Sequence, residues 1–317
     1  MYAKIKIFSG TAHQQLTTDI CAHLGLPLGQ SHVVKFSNEN ILVQIDENVR
    51  EADVFVVQPS CSPVSDGIVE LLITLDALKH ASASRITAVV PYFPYSRSDK
   101  KDRPRISITA RLMADLLETA GANRILTMDL HSPQVQGFFR IPGDNLRAVD
   151  VICDHLRRTR DLTDYVLVAG DAGEAKELGA FANRLHLPMA IVDKRREGDD
   201  DRAIATNLIG DVEGKVALIV DDEVATGGTL VEAANFVMNR GVKAVEAAIV
   251  HPILSGPAVS RIQESALRKL TVTDTVPVPQ EKRIDKIEIL STGKMFAEAI
   301  KAIHDGDSVS ALFGARP

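Results

Sequence analysis

Residues 217–230, ALIVDDEVATGGTL, combine an apolar run, two acids and a turn of small residues. The five apolar residues ahead of Asp221 and Asp222 are typical of a strand buried on both faces of a parallel sheet. No bulky side chain lies between Ala225 and Thr229, so the backbone N–H groups of this turn can close on an anion. The helix that begins near Thr229 adds the positive end of its dipole. We interpret the stretch as a sugar-phosphate site whose acids hold ribose hydroxyls or a metal; the alternative is an ordinary strand–turn–helix junction.

Strand-like and helix-like segments alternate on both sides of this stretch. Apolar runs predict strands at residues 4–8, 33–36, 41–45, 53–58, 86–90, 124–128, 165–169, 189–192, 216–220 and 242–250. Helical periodicity predicts helices at residues 13–24, 65–79, 107–119, 173–185 and 228–240. The third of these helices has Ser107 as a candidate N-cap and Gly121 just beyond its end. Such alternation is typical of a mostly parallel sheet with helices on both faces, an α/β fold.

The two halves of the chain share this plan, which indicates a duplicated α/β unit. Each half has a strand that ends in polar groups: Asp129 and His131 in the first, Asp221 and Asp222 in the second. A length of 317 residues also favours two domains of ordinary size. A connector that contains Pro and Gly near residues 141–148 marks the boundary, so we predict domains 1–145 and 146–317.

A run of charged residues, KRREGDDDR at 194–202, interrupts the second half. It has four basic and four acidic residues, so it is not a core element. We predict a surface loop, which is either simply solvated or a mobile catalytic flap.

The composition excludes several classes of protein. Hydrophobic residues make up 45% of the chain and charged residues 25%, the profile of a soluble globular protein with no membrane span. The net charge of −6 argues against general binding of nucleic acid. Three scattered cysteines, without CxxC spacing, argue for a reducing cytoplasm and against a disulfide framework or a zinc site.

Several segments, in order along nearly the whole chain, resemble the ribose-phosphate diphosphokinase family. They include residues 53–101 and 114–139, PMAIVDKRR (188–196), residues 209–230, LSGPAVSRI (254–262), TVTDTVPVP (271–279) and DSVSALF (307–313). The resemblance implies two tandem phosphoribosyltransferase-like domains and a homohexamer built from dimers. It also implies Mg²⁺-dependent transfer of the diphosphoryl group of ATP to ribose 5-phosphate, with ATP bound on the side of the N-terminal domain.

The family's motifs imply roles for particular residues of this chain. Lys194 and Arg196 match catalytic flap residues, and His131 and Asp171 match contacts to magnesium. The ribose 5-phosphate site would consist of the two acids and the small-residue loop: Asp221, Asp222, Ala225, Thr226, Gly227, Gly228 and Thr229. The ATP site would consist of an adenine loop given to a neighbouring subunit and a loop beside the phosphates: Phe36, Asn38, Asn40, Arg97, Ser98 and Asp99. A regulatory phosphate or ADP site would consist of Ser82, Arg103, Arg105, Ser308 and Ser310.

Other interpretations of these residues stay open. Phe36 equally fits core packing, and His131 also fits a hydrogen-bonded histidine at a strand end. The chain also departs from the family pattern at FSNEN (36–40), at RSDKK (97–101), at Ala225 and at Glu174 in GDAGE. These departures leave a non-catalytic regulatory homologue as an alternative to the active diphosphokinase. A phosphoribosyltransferase is a further alternative, because that class shares the two acids and the glycine loop at 221–229.

Overall fold

A computed structural model describes residues 4–170, 175–196 and 203–313. The chain forms two compact units. Unit 1 comprises Met1–Arg147, Thr275–Pro277 and Ser291–Pro317, and unit 2 comprises Ala148–Asp274 and Val278–Leu290. Within the described residues, no helix is both long enough and apolar enough to cross a membrane.

Unit 1 is built on a five-stranded parallel sheet. Its strands lie in the order β1 (Ile5–Ser9), β4 (Asp53–Val57), β5 (Arg85–Val90), β6 (Arg124–Met128) and β7 (Gly143–Leu146). A separate antiparallel hairpin is formed by β2 (Ser31–Lys35) and β3 (Ile41–Ile45). The helices of this unit are α1 (Gln14–Leu24), α2 (Val64–His80), α3 (Thr109–Ala120) and α8 (Gly293–Asp305). All five residues of β4 are buried, as expected for an apolar run covered on both faces.

Unit 2 is built on a seven-stranded sheet. Its strands lie in the order β10 (Ala203–Ile209), β9 (Met189–Arg196), β8 (Tyr165–Ala169), β11 (Val216–Val224), β12 (Ala244–Pro252), β13 (Leu267–Thr273) and β14 (Ile287–Leu290). All neighbours are parallel except β10, which pairs with β9 in the antiparallel sense at one edge. The helices of this unit are α4 (Val149–Thr159), α5 (Ala175–Leu185), α6 (Gly228–Met238) and α7 (Ala258–Glu264).

The two units repeat one topology. The parallel strands follow one another in the same spatial order in both units: β1-β4-β5-β6-β7 in unit 1 and β8-β11-β12-β13-β14 in unit 2. In each unit an antiparallel strand pair follows the first strand along the chain, β2–β3 in unit 1 and β9–β10 in unit 2. The mostly parallel α/β architecture predicted from sequence is therefore confirmed. By strand order, β11 with its acids corresponds to β4, whereas the strand before Asp129 and His131 corresponds to β13. The predicted likeness between those two polar strand ends does not follow the repeat.

The helices that follow the last strand of each repeat are exchanged. Helix α4 follows β7 of unit 1 and belongs to unit 2, whereas α8 follows β14 of unit 2 and belongs to unit 1. Helix α8 contacts the buried Asp53 at the start of β4. Oδ2 of Asp53 lies 2.7 Å from Nδ1 of His304, a residue of α8. Arg85 forms a bidentate pair with Asp53 and donates to the Ile303 carbonyl. The division at residues 145/146 stays a prediction beside these units.

Three predicted element boundaries are corrected by the structure. Strand β11 continues to Val224, four residues beyond the predicted end. It does so because Glu223 and Val224 pair with His251 and Pro252 of β12. Residues 194–196 belong to β9 rather than to a loop, because β10, which the sequence did not reveal, pairs with them. Helix α3 begins at Thr109, and Ser107 does not cap it; the Thr109 N–H donates to Oγ of Ser98 at 3.3 Å.

Candidate active site

Asp221 and Asp222 lie at the carboxyl end of β11, the central strand of unit 2. Asp221 is half-buried, whereas Asp222 and Glu223 are buried. Asp221 Oδ1 accepts a hydrogen bond of 2.8 Å from the backbone N–H of Asp222. The carboxyl edge of a parallel sheet is where open α/β folds bind ligands, so these carboxylates are placed to meet a polar substrate.

The small-residue turn connects β11 to α6. Gly227 precedes the helix with φ +73°, a left-handed conformation that side chains other than glycine rarely adopt. Thr226 and Thr229 are exposed, and Ala225 and Gly228 are half-buried. The backbone N–H groups of residues 225–229 donate to no acceptor within the described part of the chain. These five donors, at a helix N-terminus, are available for an anion.

The turn is supported from behind by residues 254–261. The N–H groups of Leu254 and Ser255 donate to the carbonyls of Val224 and Ala225, at 3.0 and 2.9 Å. Nη1 of Arg261 donates to the Thr226 carbonyl at 3.1 Å. Sequence reasoning gave Arg261 no role, because nothing in LSGPAVSRI shows which loop its side chain reaches.

The other site residues predicted for unit 2 are the two flap residues and Asp171. Lys194 and Arg196 lie in β9, opposite Ala205 and Ala203 of β10. Asp171, predicted to contact magnesium, lies outside the described residues, as do Glu174 and the part of the charged run at 197–202.

His131 lies just beyond the carboxyl end of β6, in unit 1. Its side chain is exposed, and the preceding Asp129 adopts a φ of +37°. The turn is fixed by bonds from Asp129 N to the Leu146 carbonyl and from Leu130 N to Asn145 Oδ1. The described residues contain no group of three or more His, Cys, Asp or Glu side chains that could hold a metal ion by themselves.

Arg97, Ser98 and Asp99 lie in the loop between β5 and α3. Arg97 is exposed, and Ser98 and Asp99 are half-buried. The Ser98 hydroxyl lies 3.3 Å from both the Ser107 carbonyl and Thr109 Oγ1. Ser98 therefore shapes the loop that presents Arg97.

The sequence FSNEN forms the turn of the β2–β3 hairpin. The Phe36 N–H donates to the Asn40 carbonyl at 2.9 Å, and Asn38 Oδ1 accepts from the Asn40 N–H at 3.2 Å. The Phe36 side chain is 48% exposed, so the alternative of core packing is wrong for unit 1.

The residues predicted to bind a regulatory phosphate all belong to unit 1. Ser82 lies in the turn after α2 with φ +65° and is half-buried. Arg103 and Arg105 are exposed in the loop before α3, and Ser308 and Ser310 are exposed after α8.

Comparison with known proteins gives a consistent result along the chain. Residues 5–121 match the model of the N-terminal domain of ribose phosphate pyrophosphokinase, and residues 202–314 match the phosphoribosyl synthetase-associated domain. The chain is 47% identical over 309 residues to the ribose-phosphate pyrophosphokinase of Caldanaerobacter subterraneus, covering 98% of each protein. It is 47% identical to the enzyme of that name from Deinococcus radiodurans, covering 97% of each. The crystal structure of phosphoribosylpyrophosphate synthetase from Mycobacterium smegmatis superposes with a TM-score of 0.91 at 38% identity, over 96% of this chain and 99% of that one.

Proposed function

Because this chain belongs to the ribose-phosphate pyrophosphokinase family, we propose that it transfers the diphosphoryl group of ATP to the 1-hydroxyl of ribose 5-phosphate. The products are phosphoribosyl diphosphate and AMP. The observation that carries the proposal is the β11–α6 junction, where two carboxylates adjoin five backbone N–H groups that have no acceptor in the described chain. This combination matches the two ends of ribose 5-phosphate, its hydroxyls and its phosphate.

In this proposal the sugar phosphate is bound by unit 2. Asp221 and Asp222 accept hydrogen bonds from ribose hydroxyls, and the N–H groups of residues 225–229 surround the 5-phosphate. The dipole of α6 adds to the attraction, because its N-terminus faces the loop. The absence of bulky side chains lets the phosphate oxygens approach the backbone closely.

The chemical step joins the ribose O1 to the β-phosphorus of ATP. The bond between that phosphorus and the oxygen bridging to the α-phosphorus breaks, and AMP leaves with that oxygen. Lys194 and Arg196 supply positive charge to the phosphoryl oxygens, lysine as a compact point charge and arginine as a forked donor. Each is expected to contribute about 2.7–4 kcal/mol to the stability of the transition state.

Magnesium is the proposed cofactor, held in part by His131 and Asp171. When bound it would neutralise charge on the phosphates. An exposed imidazole at a strand end fits a partial or water-mediated contact, because Mg²⁺ prefers oxygen ligands and keeps several waters. ATP phosphates would complete the coordination shell.

The nucleotide is proposed to lie beside Arg97, Ser98 and Asp99. Phe36, Asn38 and Asn40 would contact adenine in a neighbouring subunit of a homohexamer. The exposure of Phe36 supports this, since the ring is not used in the core of its own unit. A regulatory site at Ser82, Arg103, Arg105, Ser308 and Ser310 and a cytoplasmic location are proposed on the resemblance and on the cysteine pattern.

One assay tests the proposal. Purified protein is mixed with Mg²⁺, ATP and ribose 5-phosphate, and AMP and phosphoribosyl diphosphate are quantified. We expect both products in equal amounts. No AMP under any nucleotide or phosphate condition would reject catalysis and favour the regulatory homologue. Base-dependent consumption of phosphoribosyl diphosphate would instead indicate a phosphoribosyltransferase.

A further inference from the structure

The three carbonyl groups that precede the open N–H groups of the phosphate loop are all fixed on one side. Leu254 and Ser255 hold the carbonyls of Val224 and Ala225 through their backbone N–H groups. The next carbonyl, that of Thr226, is held by a side chain, through the 3.1 Å bond from Nη1 of Arg261. Residues 254–261 therefore form a wall to which three consecutive peptides of the loop are attached.

This attachment determines where the N–H groups of the loop point. A trans peptide holds its C=O and its N–H on opposite sides. The cis bond recorded in the described chain is Ser62–Pro63, so the peptides of this loop are trans. Each carbonyl that bonds to the wall consequently turns the following N–H away from it. The direction of the Gly227 N–H thus depends on Arg261.

The glycines of the loop fit closely against the same wall. A Cβ atom on Gly227 would lie 3.4 Å from the Ala258 carbonyl, and one on Gly228 would lie 3.4 Å from Nη1 of Arg261. Both distances are those of ordinary van der Waals contact, so the two glycines lie directly against the start of α7 and the Arg261 guanidinium. Arg261 itself is exposed, so its charge is presented to solvent at the loop.

We propose that Arg261 is a positioning residue for the 5-phosphate of ribose 5-phosphate. It fixes the peptide between Thr226 and Gly227 so that the Gly227 N–H faces the phosphate, and it adds a charge that is present at every physiological pH. This inference rests on the proposed function of the same loop. It predicts an effect on ribose 5-phosphate alone, because the wall and the loop belong to one strand–helix junction.

The test compares Arg261→Met and Arg261→Lys with the wild type. Methionine keeps an unbranched stem but removes every donor, so KM and Kd for ribose 5-phosphate should rise about tenfold. The KM for ATP should stay within about twofold, because uniform loss of sugar-phosphate binding leaves other steps intact. Lysine should restore part of the loss, since its ammonium can donate one bond to the same carbonyl.

Arg240→Met provides a matched control in unit 2. Arg240 lies just beyond the other end of α6, where its guanidinium is 4.6 Å from the centre of the Phe236 ring. The Arg240→Met substitution removes the same charge from a residue that does not contact the phosphate loop. Titration of each protein with ribose 5-phosphate by calorimetry, steady-state kinetics and a melting curve give binding, turnover and folding separately.

The outcomes distinguish this inference from the proposed function. If the wild type binds ribose 5-phosphate and Arg261→Met matches Arg240→Met, the role of Arg261 is wrong and the proposed function stands. If Arg261→Met weakens both substrates alike, melts earlier and is not improved by lysine, the residue is merely structural and the inference is overturned. A wild type that neither binds ribose 5-phosphate nor forms AMP would overturn both.

Discussion

The two units share one strand order but differ at the carboxyl edge of their sheets. In unit 2 the turn after β11 keeps its N–H groups open. In unit 1 the segment after the corresponding β4 bonds inwards: Gln58 N donates to the Val89 carbonyl and Ser60 N to the Tyr92 carbonyl. The repeated fold thus has two similar edges that differ in whether the backbone N–H groups are already bonded within the chain, and we expect only the open edge to bind an anion.

In unit 1 a side-chain carboxylate of the protein accepts hydrogen bonds from the turn after β1. The buried Glu70 carboxylate accepts bonds from Thr11 N and Thr11 Oγ1, at 2.7 and 2.5 Å, in the turn after β1. Gln58 Oε1 accepts from Ala12 N at 3.1 Å in the same turn. A Cβ on Gly10 would lie 2.1 Å from that amide oxygen, so glycine is needed for this approach. The N–H groups of this turn are therefore occupied by the protein itself.

The opposite, amino edges of the two sheets resemble each other. In unit 1, Asp53 contacts Arg85 and His304, and His304 comes from α8. In unit 2, Glu288 contacts Arg160 and His155, and His155 comes from α4. Each exchanged helix brings a histidine to a carboxylate of the sheet it covers. The two amino edges therefore share one arrangement of ion pairs, whereas the two carboxyl edges differ in their hydrogen bonding.

The largest effect is expected at the antiparallel pair that extends the sheet of unit 2. Lys194→Ala should lower kcat about 100- to 1000-fold, because it removes a charged donor to the reacting phosphoryl group. Folding should change little, because a lysine side chain within a run of charged residues is not expected to add to the apolar core. Lys215→Ala, at the amino edge near Asp211, is the control and should keep its turnover. Loss of the cooperative melting transition in Lys194→Ala would show that the residue is structural.

The closed edge of unit 1 should respond in stability rather than in sugar-phosphate binding. Glu70→Gln keeps the shape but removes the charge that Thr11 bonds, so the free energy of unfolding should fall by about 1–3 kcal/mol. The KM for ribose 5-phosphate should stay unchanged. Denaturant unfolding beside Glu298→Gln, an exposed residue of α8, provides the reference. A selective rise in that KM would contradict the contrast between the two edges.

The open edge should respond in the reverse manner. Gly227→Ala forces a side chain into a left-handed conformation at a cost of about 1–2 kcal/mol, so the loop should shift and ribose 5-phosphate should bind roughly tenfold more weakly. Gly214→Ala is the matched control, because Gly214 has φ +68° and an added Cβ would meet no atom within 4 Å. Kinetics and melting of both variants separate the two effects. Equal KM values in the two variants would remove the loop from substrate binding.

The smallest effect concerns acid stability at the amino edge of unit 2. Burial tends to raise the pKa of Glu288, but bonds from His155 and the charge of Arg160 outweigh it and hold the pKa below its usual value. A lowered folded pKa stabilises the protein above the unfolded pKa of about 4.3, and this contribution is lost as the pH falls through the folded pKa. Unfolding measured from pH 6 to pH 3 should therefore show a shallower decline for Glu288→Gln. An unchanged slope would mean that the ion pair adds nothing measurable.

The sequence predicts the fold well wherever a pattern is local. Buried runs such as DVFVV and the glycine after α3 mark elements directly, because residue period and left-handed caps act within a few positions. Strand β10 was missed, because a short mixed segment becomes a strand only through its pairing with β9. The exchange of α4 and α8 is likewise a long-range choice with no local signal.

The candidate site shows the same contrast between local sequence patterns and long-range contacts. The local pattern predicts a strand that ends in Asp221 and Asp222, a glycine turn and a helix, and the structure has this strand–turn–helix junction; its role in binding stays a prediction. The contact of Arg261 with Thr226 and the closure of unit 1 by Glu70 and Gln58 could not be predicted, because each joins residues far apart in sequence. Contacts between residues that are distant in sequence have no local pattern by which they could be predicted.

The contrast between an open and an occupied edge is tested most directly by amide hydrogen exchange with and without ribose 5-phosphate. Exchange at residues 225–229 should slow when the sugar phosphate is added, because each N–H gains an acceptor, while residues 10–12 and 58–60 should exchange as before. Unchanged exchange at 225–229, or equal slowing at both edges, would contradict the account.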